Sequence, residues 1–222
     1  MSLFGIHPTV LLMRLPAMII ALTVHEVSHG YIAMKLGDPT ARNFGRLTLN
    51  PLKHIDPIGA ISMLLFGFGW AKPVPINTRY FKKPRRDMAL SALAGPVSNF
   101  LLAFVGLFLF HLSYFLFGLN PINSGYLFNV QDVWINMLAV FVMLNISLGL
   151  FNLIPVPPLD GSRIFLTFLP PKYYFGIMKY ERYIMLGLFA LLWIGMLDRP
   201  LVWISEGILG IMNRVITLIP IF

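Results

Sequence analysis

The sequence predicts an all-α membrane protein, a polytopic helical bundle of about five spans with a short re-entrant or β-hairpin segment at one interface. Three observations carry that expectation. Apolar residues make up 57% of the 222 and charged residues only 12%, about half the charge of an ordinary soluble domain. The apolar residues gather into runs of about 20, the length that crosses a hydrocarbon core, bounded by charges or by Pro and Gly clusters. The basic residues pool in alternate loops, as they do in membrane proteins.

Four runs are long enough to span: Pro8 to Leu36, Ala89 to Gly118, Val133 to Ile154 and Leu201 to Pro220. A fifth, Tyr183 to Leu197, is shorter and ends at Asp198, Arg199 and Pro200. Residues 1 to 13 hold no Lys or Arg ahead of the first run and no small-residue cleavage site follows it, so that run is expected to stay in the mature protein. Ile58 to Trp70 is apolar but too short to span and carries Gly59, Gly67 and Gly69, which suits a re-entrant or interfacial segment. The flanking stretches Phe44 to Leu49 and Lys72 to Asn77 partly alternate. They are candidates for short strands whose edge would hold an extended peptide, with an irregular loop as the plain alternative because prolines adjoin them. No repeat or long polar stretch divides the chain, so residues 1–222 read as one membrane domain.

Orientation follows from the basic residues. Ten of the 17 Lys and Arg lie between residues 35 and 88, three between 172 and 182, and none between 119 and 130. The first two regions should face the cytoplasm and the third the outside, which with five spans puts the N-terminus outside and the C-terminus inside. The same distribution argues against nucleic acid as the partner of the +8 net charge and for the lipid bilayer.

The first apolar run contains His25-Glu26-Val27-Ser28-His29. On a helix the two histidines, four apart, share one face and can reach a single tetrahedral zinc, with Glu26 beside them to accept a proton from an activated water. Three ionisable groups inside a span are costly unless they pair or bind something. The chain has no cysteine, so a metal must be held by nitrogen and oxygen. A catalytic zinc takes three protein ligands, and the third must come from elsewhere. Asp160 is singled out by its setting, Asn152-Leu-Ile-Pro-Val-Pro-Pro-Leu-Asp160-Gly161, where prolines open irregular backbone directly after a span. Alone it reads either as a helix N-cap or as a ligand aimed at the metal. His7, His54 and His111 lie in loops or near a span end and read as solvent or interfacial histidines.

Together, His25-Glu-Val-Ser-His29, Gly95-Pro-Val-Ser-Asn99 and Asn152 to Gly161 resemble the site-2 protease family of intramembrane zinc metalloproteases. The resemblance runs from about residue 20 to 165, three motifs in order. It implies a three-helix catalytic core within residues 8–170, accessory helices over 181–220, and one Zn2+ held by His25, His29 and Asp160. Glu26 is then the general base, with water on the zinc as nucleophile, and Asn152 lies near the site to contact substrate or a developing oxyanion. Asn99 is read as a packing residue that bonds across a helix interface. The implied substrate is a single-span membrane protein, cut in or near its transmembrane segment, in a prokaryotic cell membrane with the active site towards the cytoplasm. The loop near 119–130 is too short for a PDZ insertion, and no CBS pair is expected after the last helix. The rival expectations are a catalytically inactive scaffold and a metal-ion transporter of the same fold; a transporter would need polar residues along several helices.

Overall fold

Apolar runs without water to satisfy their backbone fold as helices, where every interior N–H meets a carbonyl of the same segment. In the computed structural model, which describes residues 8–59, 71–117 and 130–219, the regular structure is helical. The α-helices are α1 (Pro8–Lys35), α2 (Thr40–Asn43), α3 (Pro84–Phe117), α4 (Val130–Asn152), α5 (Asp160–Phe165), α6 (Pro171–Lys179), α7 (Glu181–Trp193) and α8 (Asp198–Thr217).

Three segments, Met13–Lys35, Pro84–Leu116 and Val133–Asn152, are long and apolar enough to cross a membrane. The expected fourth and fifth spans are both helices, but α7 has 13 residues, about 20 Å of rise against a hydrocarbon core of about 30 Å. The longer α8 carries Asp198, Arg199, Glu206 and Arg214. Among the described residues, then, three helices are long and apolar enough to cross a membrane, in a fold that is helical throughout its regular structure.

Helix ends follow local chemistry. α3 starts at Pro84 with Asp87 in its first turn, whose Oδ2 accepts the Lys83 N–H at 2.9 Å. The carboxylate thus satisfies a backbone N–H that the start of the helix leaves without an intrahelical partner. α4 stops at Asn152, after which Pro155, Pro157 and Pro158 withhold donors and the chain turns through Leu159 into α5.

α3 is the hub, packing on α1, α4, α5 and α8. Its Ala103 and Leu107 join Val142 and Ile146 of α4 and Ile216 of α8 in a buried cluster flanked by Phe100, Phe104 and Phe108. Outward, Leu101, Val105 and Phe115 of α3 and Trp203 and Ile211 of α8 are each more than half exposed. An apolar outer face on that scale is what lipid requires.

The short strands expected at Phe44 to Leu49 and Lys72 to Asn77 are absent among the described residues. One isolated antiparallel bridge, Ile55 to Ala71, closes the loop instead. Pro73 and Pro75 lack the N–H groups a ladder needs. The expected re-entrant run over 58–70 lies, from residue 60 on, outside the described residues, as do His7 and nearly all of the loop 119–130.

Candidate metal centre

The i, i+4 spacing on α1 does bring the two imidazoles together. The His25 and His29 rings meet edge to face at 89°, with centroids 4.5 Å apart and Nε2 atoms 3.0 Å apart. Asp160, 135 positions away in sequence from His25, places Oδ2 3.1 Å from His25 Nε2 and 3.2 Å from His29 Nε2. Asp160 is the first residue of α5 rather than its cap; Leu159 takes the cap position and no side chain caps the helix. Of the two readings open for Asp160 in the sequence, the position beside the histidines is the one observed.

The remaining hydrogen bonds decide what these three atoms are. His29 Nδ1 lies 2.8 Å from the Ser91 carbonyl, and His25 Nδ1 lies 2.6 Å from Asn99 Oδ1. A backbone carbonyl only accepts, so His29 carries its proton on Nδ1. Asn99 is oriented by its own partners: Nδ2 donates to Asn145 Oδ1 at 3.0 Å and to the Ala21 carbonyl at 3.3 Å. Asn145 Nδ2 in turn donates to the Phe141 carbonyl at 2.9 Å. That chain leaves Oδ1 of Asn99 facing His25, which must donate from Nδ1 as well.

In neutral imidazoles both Nε2 atoms then present lone pairs, and these face a carboxylate oxygen. Three acceptors with mutual distances of 3.0–3.2 Å repel one another unless a cation lies among them. Nitrogen and oxygen ligands about 2.0–2.2 Å from a tetrahedral zinc sit about 3.3 Å or slightly more from each other. The donor set and its spacing therefore fit zinc, and among the described residues these three side chains form the one group of His and acidic residues able to hold a metal.

Gly95 makes room for the group. A Cβ there would meet His29 Nε2 at less than contact distance and His25 Cε1 at 2.6 Å, so α3 can back onto both imidazoles only where no side chain intervenes.

Glu26 is half-buried beside His25, and its Oε2 accepts the Val74 N–H at 2.8 Å. Asn152 is not brought into contact with the three ligand atoms by any hydrogen bond described; its Nδ2 donates to Leu148, one turn back in α4, at 3.0 Å. His54 corrects an expectation. Read as a solvent or interfacial histidine, it is 1% exposed, with Nε2 bonding the Thr48 carbonyl at 2.8 Å. His111 bonds Asn213 across α3 and α8.

Three supporting groups were not identified as such in the sequence: Ser91, Asn145 and Val74. Only Asn145 left a signal, a polar amide in the middle of an apolar span, which is costly unless bonded. Asn99, expected as a packing residue, does bond across helices, and its partner there is a candidate ligand, His25. Replacing it with Ala should leave the His25 Nδ1 proton unpaired in a fully buried position. The expected result is a zinc affinity lower by about 10- to 100-fold, measured by competition with a chromophoric chelator.

Two kinds of likeness to known proteins bear on this geometry. The model of "Peptidase family M50" matches residues 13–195. The "Putative zinc metalloprotease YwhC" of Bacillus subtilis is 49% identical over 156 residues, 69% of this chain and 68% of that protein. "Putative zinc metalloprotease Rip2" of Mycolicibacterium smegmatis is 26% identical over 69% of this chain and 56% of its own length. "Zinc metalloprotease MJ0392" of Methanocaldococcus jannaschii is 29% identical over 72% of this chain and 34% of its own length. The chain thus spans about half or less of some of these relatives. No solved structure is a significant match. A family match covering most of the chain, all three clustered side chains included, together with near 50% identity to the Bacillus protein, establishes that this chain belongs to peptidase family M50.

Proposed function

We propose that the chain is an intramembrane zinc endopeptidase that hydrolyses a peptide bond in or near the transmembrane segment of a membrane protein. The observation that carries this is the convergence of two tautomer-fixed imidazoles and a carboxylate on one point, with Glu26 next in sequence to one of them. Zinc held by His25, His29 and Asp160 would polarise the scissile carbonyl and lower the pKa of water to about 7.

The protein's own groups do the rest. Asn99 and the Ser91 carbonyl keep both imidazoles in the ligating tautomer. Glu26 accepts the proton of the attacking water and returns it to the leaving amine. With Oε2 engaged by Val74, Oε1 is the oxygen left for that transfer. Asn152 has a second Nδ2 hydrogen beyond the one given to Leu148, and we assign it to the substrate carbonyl as charge develops there.

The active site sits two to three turns from the C-terminal end of α1, ahead of the most basic stretch of the chain. By the distribution of Lys and Arg, that end faces the cytoplasm of a multi-pass cell-membrane protein. A substrate helix must unwind before cleavage, because helical carbonyls are already bonded. A single-span protein is the substrate class that meets this requirement most simply, and the helices after residue 180 complete the membrane domain around the core.

The test is cleavage of a purified single-span substrate by the purified chain in detergent. Activity should vanish on treatment with a zinc chelator and return with added zinc but not with calcium. Cleavage that survives complete zinc removal would overturn the proposal.

A further inference from the structure

Between Lys72 and Ile76 the chain reads Pro73-Val74-Pro75. Neither proline has an N–H, so Val74 is the sole backbone donor of that triplet. Each ring fixes φ near about −65° and holds the residue before it extended. The single donor points at Glu26, its nitrogen 2.8 Å from Oε2.

The segment is tied down on both sides of that contact. At one end the Lys72 N–H donates to the His54 carbonyl at 2.7 Å, and the Lys72 carbonyl accepts from Arg46 Nη2 at 2.5 Å. At the other end the Asn77 N–H donates to Oδ2 of Asp38 at 2.7 Å. Asp38 is 1% exposed, just beyond the end of α1, and its other oxygen accepts the Thr40 N–H at 2.9 Å. Between these anchors the chain lies directly on α1. A Cβ at Gly30 would come within 2.9 Å of Val74 Cγ1 and 2.8 Å of Leu47 Cδ2, so this approach exists because the residue after His29 has no side chain.

We infer that residues 72–77 form a positioning strap, and that the Val74 backbone N–H fixes the Glu26 carboxylate for proton transfer. This rests on Glu26 acting as the base, as proposed above. A glutamate on a helix otherwise samples several rotamers, and one held in place before substrate arrives avoids that ordering step during the reaction. The hold is a charge-assisted hydrogen bond in a half-buried setting, stronger than a neutral one. Val74 acts through Glu26 and does not touch the metal group.

The test uses the full chain, purified with zinc, and three variants. Val74→Pro removes the N–H, and Val74→Ala keeps it. Asp38→Ala frees the far end of the strap without touching residues 73–75. For Val74→Pro, kcat should fall about 10- to 100-fold, the range lost with one hydrogen bond to a charged group, while KM and zinc content stay close to wild type. Val74→Ala, the conservative variant, should recover kcat. In Glu26→Ala, hydrogen exchange at the Val74 amide should quicken by about tenfold or more as its acceptor is lost.

Unchanged kcat in Val74→Pro overturns the inference, as does an equal loss in Val74→Ala, which would make the effect one of side-chain packing. Should Val74→Pro fail to fold, Asp38→Ala decides: reduced kcat at full zinc supports the strap, and unchanged kcat sinks it. An inactive wild-type chain would count against the protease assignment, whereas unaltered Val74 exchange in Glu26→Ala would count against the strap alone.

Discussion

Glu26→Gln should retain bound zinc and lose cleavage by about 10²- to 10⁴-fold, the usual contribution of a positioned general base. The substitution keeps the size of the side chain and an oxygen that can still accept the Val74 N–H. It removes only the capacity to take a proton. Neither candidate ligand on α1 is altered, and the bonds from His25 to Asn99 and from His29 to the Ser91 carbonyl are untouched. Initial rates on a single-span substrate, with zinc measured by atomic emission on the same preparation, separate chemistry from metal loading. Wild-type activity in Glu26→Gln would end the assignment of Glu26 as base. Loss of zinc alongside activity would make Glu26 part of the metal site instead.

Asp160→Ala should act on the metal first. It deletes one of three donors and leaves two Nε2 lone pairs 3.0 Å apart without a carboxylate to complete the set. Loss of a residue that merely supports a ligand costs about 10- to 100-fold in affinity, so loss of a ligand itself should exceed that range. Chelator competition gives the number. Asp160→Asn, which keeps an oxygen but not the charge, should fall between Ala and wild type. Zinc affinity unchanged in Asp160→Ala would mean that a different oxygen donor completes the site.

The two predictions differ in how far each could be read without a structure. His25, Glu26 and His29 occupy one turn of one helix, and helical periodicity alone sets their faces. From the prolines before it Asp160 could be narrowed to a cap or a ligand; the structure gives the cap position to Leu159 and puts the Asp160 carboxylate 3.1 and 3.2 Å from the imidazoles. Asn99 was legible as a polar residue at a helix interface but not as the partner of His25, 74 positions away. Ser91 acts through its backbone carbonyl and Val74 through its backbone N–H. Side-chain identity says nothing about either, so no reading of residue types would find them.

The membrane elements divide in a similar way. The runs ending at Lys35, Phe117 and Asn152 became helices within a few residues of their expected bounds, because hydropathy is a local property that the bilayer reads directly. The run from 201 to 220 also became a helix, but its start moved back to Asp198. The extension takes in two charges that hydropathy had treated as a boundary. Of the two readings open for Lys72 to Asn77, the irregular loop is the one observed, because a period of two signals a strand only where N–H groups are free to pair, and Pro73 and Pro75 have none.

By itself the sequence determined the solvent of this protein, the helical state of its long apolar runs, and the facing pair of imidazoles on α1. Each of those depends on neighbours within a few turns. Tertiary structure alone decided that Asp160 lies beside the two imidazoles, that Asn99 and the Ser91 carbonyl bond their Nδ1 atoms, and that the Val74 N–H meets Glu26. Those contacts join positions 48 to 135 apart, and their existence depends on how α3 and α5 pack against α1, which no local pattern of residues encodes.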